Sequence, residues 1–392
     1  MLRIEPEDRY HRQTLIDWWD QRRVARTRVV VVGAGALGNE ILKLLALIGC
    51  GRTLVFDGDR IERSNLSRTV LFRETDEGAY KAEVAARAMT AINPDARAHA
   101  IAGNILECAG LGVFAWADIV IGAVDNREAR VFINSACARV NRRWVDGAIE
   151  GFNGVVRVFS PADGACYECT MNKTDRKLLA ERRSCAMLAR DAVARGHVPT
   201  SAVAASIIGA MQVQEAIKAV HGQPTLAGAG LHFEGLRSEA TRIGYPRRDD
   251  CQGHDSVGEL VPLGVGIGGI TLGALLDRAE RELGEGTVLD LSRDVIVRLT
   301  CPDCGAREPA RAVLGAVRES QAACPKCQTH RIVEIATSID RSGDIDLAAT
   351  PADLGLPPLD VIVARNGMER ARAWLFDGDA RAVLGSLYEE TA

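Results

Sequence analysis

The chain has 392 residues, of which 47% are apolar, so it is long enough to bury the cores of two domains. Its 48 basic and 52 acidic residues give a net charge of −4 and are well mixed along the chain, which argues against a nucleic-acid-binding protein. The polar N-terminus predicts no signal peptide, and the uncharged, glycine-rich run at residues 260–276 is shorter than the about 20 apolar residues that a membrane span needs. We therefore expect a cytoplasmic protein that binds neither membranes nor nucleic acid.

Strand and helix patterns alternate through the first half of the chain. Residues 28–32 are a β-branched run that leads into a helical pattern, and "RTLVFDGDRI" (52–61) is the next short strand. The pattern "YKAEVAARAMTAINP" predicts a helix that stops at Asn93–Pro94, "DIVIGAV" predicts a buried strand, and residues 201–222 predict a long apolar helix. This alternation predicts an α/β fold with a doubly wound, Rossmann-like, mostly parallel sheet covered by helices on both faces.

The composition changes after residue 255. A glycine-rich stretch is followed by a predicted helix at 271–283, a strand ("DVIVRLTC") and two CxxC pairs. We therefore place a boundary between a domain at 1–256 and a smaller α+β domain at 257–392. We expect the smaller domain to contain a zinc ribbon and to recruit a partner protein.

The cysteine spacing favours metal binding over disulfides. The chain has eleven cysteines, and seven of them stand in three CxxC pairs and one CxxH pair, which suits metal binding in a reducing cytoplasm. The two later pairs form a zinc-ribbon pattern and predict one Zn²⁺ site, whose ligands are Cys301, Cys304, Cys324 and Cys327. Of the other cysteines, Cys50, Cys108 and Cys137 lie among aliphatic residues and are expected in the core.

A glycine motif follows the first predicted strand and opens a helix. Gly33, Gly35 and Gly38 form the pattern GxGxxG, which lets phosphate approach the backbone N–H groups at a helix N-terminus. Asp57 and Asp59 end the next strand, where a carboxylate can hold ribose hydroxyls. On these residues alone, an NAD-dependent dehydrogenase remains open.

Further motifs displace the NAD interpretation. "RYHRQ" (9–13), the glycine loop, "FDGDRIERSNLSR" (56–68), Lys81 and "AVDN" (123–126) follow in this order. From about Arg9 to His254 the chain resembles the ThiF/MoeB and ubiquitin-activating enzyme family, and it is most similar to compact bacterial activators. Thr69 departs from the glutamine that the family often has there, without touching a charged residue.

The resemblance implies an ATP-dependent adenylation with Mg²⁺. A substrate carboxylate attacks the α-phosphate of ATP, so the site must neutralise charge on two anions. The resemblance assigns Arg68 and Lys81 to the phosphates, Asn65 to the nucleotide, Asp59 to the ribose, Asp125 to Mg²⁺, and Arg12 to the active site of the other subunit of a homodimer. It also implies a first structural Zn²⁺ site formed by Cys166, Cys169, Cys251 and His254, where His254 replaces the family's last cysteine.

Cys185 differs from the other cysteines in its surroundings. It follows Arg182, Arg183 and Ser184, and Ser184 is a good N-cap for the helix-compatible sequence that ends at Gly196. The helix N-terminus and the two arginines would favour the thiolate. By resemblance the thiol lies in the crossover loop (about 170–198), where compact activators carry the cysteine that forms a thioester. An inert loop cysteine and a metal ligand are the alternatives.

The resemblance predicts an activating enzyme for a ubiquitin-like protein. It would adenylate the partner's C-terminal glycine, capture the acyl group on Cys185 and pass it to a conjugating enzyme, in a bacterial pathway with an antiviral role by analogy. One alternative is a sulfur-carrier adenylyltransferase of molybdopterin or thiamine biosynthesis, which does not require Cys185. The other is a catalytically inactive scaffold, although Arg12, Arg68, Lys81 and Asp125 are all present.

Overall fold

The computed structural model describes residues 8–161, 164–181, 199–317, 319–367 and 369–389. Its larger sheet has eight strands in the order β3-β2-β1-β4-β5-β6-β7-β8. These strands are β1 (Arg28–Val32), β2 (Arg52–Phe56), β3 (Arg97–Ile101), β4 (Ile119–Gly122), β5 (Trp144–Glu150), β6 (Asn153–Phe159), β7 (Ala229–Glu234) and β8 (Glu239–Gly244).

Ten helices in the described ranges accompany this sheet. They are α1 (His11–Thr14), α2 (Gln21–Arg26), α3 (Ala36–Leu47), α4 (Lys81–Ile92), α5 (Ile105–Cys108), α6 (Leu111–Trp116), α7 (Arg127–Arg139), α8 (Tyr167–Thr170), α9 (Lys173–Glu181) and α10 (Ala202–Val220). The helix predicted at 185–196 lies outside the described residues. No helix in the described part of the chain is long and apolar enough to cross a membrane.

The parallel part of the sheet is buried on both faces. Strands β3, β2, β1, β4 and β5 are parallel, and side chains along each strand alternate between the two faces. Val29 and Val31 pack into a core with helices α3, α4 and α10, whereas Val30 and Val32 pack into a second core with α6 and α7. The predicted α/β fold class is confirmed, with the sheet extended by three antiparallel strands at its β8 edge.

Residues after 256 form a second, mainly antiparallel sheet. It contains β9 (Leu260–Pro262), β10 (Val288–Thr300), β11 (Arg307–Val313), β12 (Ile332–Ile339), β13 (Val361–Asn366) and β14 (Arg370–Leu375), accompanied by α11 (Leu272–Leu283) and α12 (Ala380–Leu384). Leu275 and Leu276 of α11 pack with Trp374 in a separate core.

The two sheets also share a core. Leu359, Val361 and Leu387 of the later segment belong to the same buried cluster as Phe114 of α6. Backbone contacts tie the parts together, since the Leu359 carbonyl accepts from the Gly112 N–H at 2.9 Å. The later segment therefore packs against α6, on the face of the first sheet that carries α6 and α7.

Candidate functional site

The glycine loop lies where β1 ends and α3 begins. Gly33 has a φ of +97°, and a Cβ built on it would lie 2.4 Å from the Ala123 carbonyl oxygen. A Cβ on Gly38 would lie 2.0 Å from the Gly33 carbonyl oxygen, so both positions exclude larger residues. Apart from Gly35 and its two chain neighbours, no heavy atom of the described residues lies within 4 Å of a Cβ built on Gly35, the N-cap of α3. The open side of the loop therefore faces the helix N-terminus, where a phosphate would bind.

The two aspartates after β2 have different surroundings. Asp57 accepts hydrogen bonds from the N–H groups of Ala34 (2.7 Å) and Asp59 (2.8 Å), and burial raises the pKa of its carboxyl. One of its oxygens thus holds Ala34 of the glycine loop against the end of β2, and the other fixes the turn that leads to Asp59. Asp59 is exposed and forms an ion pair with Lys81, at 3.0 Å between Oδ2 and Nζ.

Lys81 is the first residue of α4, and its side chain is only 12% exposed. Its backbone N–H donates to the Asp59 carbonyl at 3.0 Å, so backbone and side chain hold the two residues together. The ammonium group is therefore positioned at the carboxyl end of β2, beside the glycine loop.

Asn65 and Arg68 lie in one turn. Asn65 ends a short 3-10 helix, is 8% exposed and accepts from the Glu62 N–H at 3.0 Å. The Arg68 guanidinium donates to the Ser64 carbonyl at 2.7 Å. A buried side chain that the sequence analysis missed, Asn39 of α3, links this turn to the glycine loop: it donates to the Ala34 carbonyl at 2.7 Å and accepts from the Leu71 N–H at 2.8 Å.

Asp125 follows β4 at the same edge of the sheet and is exposed. Asn126 caps α7 by accepting from the Ala129 N–H at 2.8 Å, and its amide donates to Asp125 at 3.3 Å. Behind this loop lies a second group that the sequence analysis missed, in which the buried Asp146 of β5 contacts Arg130 and Arg157. An aspartate inside the apolar run "WVDGAIE" was the available signal for this group.

The segment that carries Arg12 is anchored away from these residues. Two residues before it, the Tyr10 hydroxyl accepts from Asn93 (2.8 Å) and donates to Asp95 (2.9 Å), both just past the C-terminus of α4. Lys81 begins this helix of 12 residues, which is about 18 Å long at 1.5 Å per residue. The N-terminal segment is thus anchored at the opposite end of α4 from Lys81.

Four predicted ligands converge at the first metal-binding cluster. The Cys166 sulfur lies 3.8 Å from that of Cys169 and 3.6 Å from that of Cys251, and the Cys169 sulfur lies 3.2 Å from His254 Nε2. Ligands at 2.0–2.3 Å from a tetrahedral zinc are about 3.3–3.8 Å apart, so this donor set fits Zn²⁺. The Arg248 N–H donates to the Cys169 sulfur at 3.4 Å, a contact typical of thiolate ligands.

A second cluster contains the zinc-ribbon cysteines. The sulfurs of Cys301 and Cys327 are 3.4 Å apart and those of Cys304 and Cys324 are 3.6 Å apart. All four ligand atoms lie within 4.8 Å of one another, as in the first cluster. The backbone N–H groups of Lys326 and Cys327 lower the pKa of Cys324 to about 6, which favours the thiolate form that binds metal. Cys304 and Cys327 are exposed, whereas both thiols of the Cys166 pair are buried.

The remaining cysteines divide into core residues and Cys185. Cys50 and Cys137 are fully buried, and burial raises the pKa of Cys50 to about 12, so neither thiol is suited to act as a nucleophile. Cys108 is partly buried. Cys185, with Arg182, Arg183 and Ser184, lies outside the described residues.

Several curated proteins are similar to this chain. A sulfur carrier protein adenylyltransferase from Thermus thermophilus is 34% identical over 256 residues, which is 63% of this chain and 90% of the relative. A SAMP-activating enzyme E1 from Haloferax volcanii is 32% identical over 62% of this chain and 87% of the relative. The sulfur carrier protein ThiS adenylyltransferase of Escherichia coli is 30% identical over 62% of this chain and 93% of the relative.

One solved structure shares the fold of this chain, and a family match covers more than half of its residues. The structure of Escherichia coli MccB with ATP has a TM-score of 0.53 and 23% identity, and the match covers 63% of this chain and 75% of that one, which shows a shared fold. Residues 10–253 match the ThiF family, and this range contains the glycine loop, Asp59, Lys81, Asp125 and the three cysteines of the first metal-binding cluster. The resemblance predicted from the sequence motifs is confirmed, and the chain belongs to the ThiF family.

Proposed function

We propose that the protein adenylates the C-terminal glycine of a small ubiquitin-like protein, using ATP and Mg²⁺. The observation that carries this proposal is the edge formed by the ends of β1, β2 and β4. There an open glycine loop, the Asp59–Lys81 pair and the exposed carboxylate of Asp125 lie side by side. Membership of a family that includes adenylyltransferases and E1-like enzymes supports the same chemistry.

The residues have complementary tasks in this reaction. A carboxylate oxygen of the terminal glycine attacks the α-phosphorus, and the bond to pyrophosphate breaks. Lys81 and Arg68 neutralise charge on the phosphates as it develops, and the N-terminus of α3 adds its N–H groups. Asp59 holds the ribose once Lys81 binds phosphate. Asp125 would hold Mg²⁺, which supplies further charge neutralisation on the triphosphate.

In the second step, the Cys185 thiolate attacks the carbonyl carbon of the adenylate. The carbon–oxygen bond to the phosphate breaks, AMP leaves and a thioester forms. The acyl group would then pass to a conjugating enzyme. This step is proposed from the sequence around Cys185. The conjugating enzyme, the recruiting role of residues 257–392 and the antiviral setting stay predictions from the resemblance.

A second candidate is a sulfur-carrier adenylyltransferase that works without a thioester. The similarity to the Thermus thermophilus sulfur carrier protein adenylyltransferase, at 34% identity, favours it. Both candidates use the same nucleotide residues and differ in the fate of the acyl group. An inactive scaffold would need neither Lys81 nor Asp125, and the chain has both.

Two assays separate the candidates. ATP–pyrophosphate exchange that depends on an added ubiquitin-like protein ending in glycine tests adenylation, and its absence with every such protein of the same organism contradicts the proposal. A protein–protein adduct that dithiothreitol cleaves tests the thioester. We expect this adduct with the native protein and with Cys108→Ala, a matched thiol variant, and its loss with Cys185→Ala. Exchange without any adduct supports the sulfur-carrier candidate.

A further inference from the structure

Asp146 of β5 is a fully buried carboxylate that binds two arginines. Its Oδ1 accepts from Arg130 Nε at 2.8 Å, and its Oδ2 accepts from Arg157 Nε at 2.9 Å. Arg130 is 8% exposed and Asp146 is 0% exposed. A buried ionic group of this kind adds little net stability, because desolvation of the charges offsets their attraction. Its presence therefore calls for an explanation beyond stability.

The two arginines differ in what else they contact. Arg130 Nη2 donates to the carbonyl of Val124 at 2.6 Å and to the carbonyl of Gly147 at 3.1 Å. The Val124 carbonyl belongs to the peptide group that leads into Asp125. Arg157 instead lies with its guanidinium carbon 5.1 Å from the centre of the Tyr167 ring. Of the two arginines, Arg130 thus connects Asp146 to the loop that carries Asp125.

The buried group of Asp146, Arg130 and Arg157 carries a net positive charge near the loop that contains Asp125. One carboxylate faces two guanidinium groups, which leaves one positive charge in excess behind the Asp125 loop. Burial is the largest single influence on Arg130 and disfavours its charged form, but the charge and hydrogen bond of Asp146, together with Tyr167 and a smaller contribution from Asp125, raise its pKa overall. Asp125 is therefore close enough to interact with this excess charge.

We infer that Arg130 is a positioning residue for Asp125: held by Asp146, it fixes the Val124 carbonyl and attracts the Asp125 carboxylate, so that this carboxylate is presented to Mg²⁺. The inference rests on the proposed adenylation, in which Asp125 holds the metal ion. Residues that orient a metal ligand from behind change metal affinity by about 10–100-fold when removed.

Two single substitutions test this inference as a matched pair. Arg130→Met leaves a balanced Asp146–Arg157 pair, and Arg157→Gln leaves a balanced Asp146–Arg130 pair, so each variant keeps a neutral buried group. The readout is the Mg²⁺ concentration that gives half-maximal ATP–pyrophosphate exchange. A smaller folded fraction lowers the exchange rate at every Mg²⁺ concentration, but it leaves this midpoint unchanged.

We expect Arg130→Met to raise the midpoint about tenfold or more and Arg157→Gln to leave it within about twofold of the native value. Equal shifts in both variants, or an unchanged midpoint in Arg130→Met, would overturn the inference. If the native protein shows no exchange, the proposed function fails on its own. Calorimetric binding of Mn²⁺ with a non-hydrolysable ATP analogue then decides the inference by the same comparison, and equal Mn²⁺ affinities in the two variants overturn it.

Discussion

The Lys81 side chain forms an ion pair with Asp59, whose side chain is the more exposed of the two. Its side chain is 12% exposed and that of Asp59 is 61% exposed, with 3.0 Å between their charged atoms. An ion pair with one exposed partner contributes about 0–1 kcal/mol to stability, so it can open at little cost. Nucleotide binding would exchange Asp59 for phosphate as the partner of Lys81. The pair is therefore better explained by ligand binding than by folding.

Replacing Lys81 should lower activity strongly while changing stability little. We expect Lys81→Met to lower the rate of ATP–pyrophosphate exchange about 10²–10³-fold, because a charge directed at the transition state contributes about 3–4 kcal/mol. Its midpoint of thermal unfolding should change by less than about 3 °C, since the lost pair is partly exposed. Arg278→Met, which removes a surface pair with Glu282 on α11, is the control and should leave exchange unchanged. Full activity in Lys81→Met would remove this lysine from the site.

At the scale of the element, the turn from β1 to α3 uses its glycines for different purposes. Gly38 is required by the fold, because a Cβ there would meet the Gly33 carbonyl oxygen at 2.0 Å. Gly35 has open space around it and a φ of −72°, which any residue can adopt. The fold therefore does not require Gly35, but a ligand at the N-terminus of α3 would.

Alanine substitutions at Gly38 and Gly35 test whether the fold requires the first glycine and ligand binding requires the second. We expect Gly38→Ala to destabilise the protein by about 2–4 kcal/mol, because backbone must move to admit the methyl group. Gly35→Ala should unfold at nearly the native temperature yet bind ATP at least tenfold more weakly, since its methyl group would occupy space needed by phosphate. Thermal unfolding and calorimetric ATP titration measure the two effects. The interpretation of Gly35 is wrong if that variant binds ATP normally.

The same element shows how far the sequence could predict the site. The strands, the glycine loop and the ordered motifs are local patterns, so the fold class and family followed from them. The contrast between Asp57 and Asp59 did not, because it depends on which backbone N–H groups the folded loop turns toward Asp57. Asn39 and Asp146 were missed for a similar reason. Leu71 lies 32 residues from Asn39, and Arg130 lies 16 residues from Asp146, so these partners meet only in the folded chain.

For the whole molecule, the two metal-binding clusters differ in exposure. Cys166 and Cys169 are buried, whereas Cys304 and Cys327 are exposed. If each cluster holds one Zn²⁺, a chelator should remove the zinc-ribbon ion first and leave carrier-dependent exchange intact. Loss of the second ion should coincide with unfolding, because a structural metal site contributes to folding free energy. Native mass spectrometry during chelation, with circular dichroism in parallel, would follow both steps. Loss of both ions at one rate contradicts this order.

The location of Arg12 bears on the assembly of the molecule. Its segment is anchored at the far end of α4, about 18 Å along the helix axis from Lys81. An arginine so placed is poorly situated to reach the nucleotide of its own chain. It can complete the site of a second copy if two chains pack with two-fold symmetry, because such an interface presents the same segment to both partners. The position of this segment therefore agrees with the predicted homodimer, in which Arg12 would act in the site of the partner subunit.

Mixing two inactive variants distinguishes action of Arg12 in the site of its own chain from action in the site of the partner subunit. Arg12→Ala and Lys81→Met should each lower exchange at least about 100-fold when pure. After denaturation and refolding together in equal amounts, half of the dimers are mixed, and each mixed dimer has one site with both native residues. We therefore expect recovery of about a quarter of native activity. An arginine that served its own chain would give no recovery, because every site would lack one of the two cations. A mixture that stays inactive while light scattering shows dimers would exclude the action of Arg12 in trans.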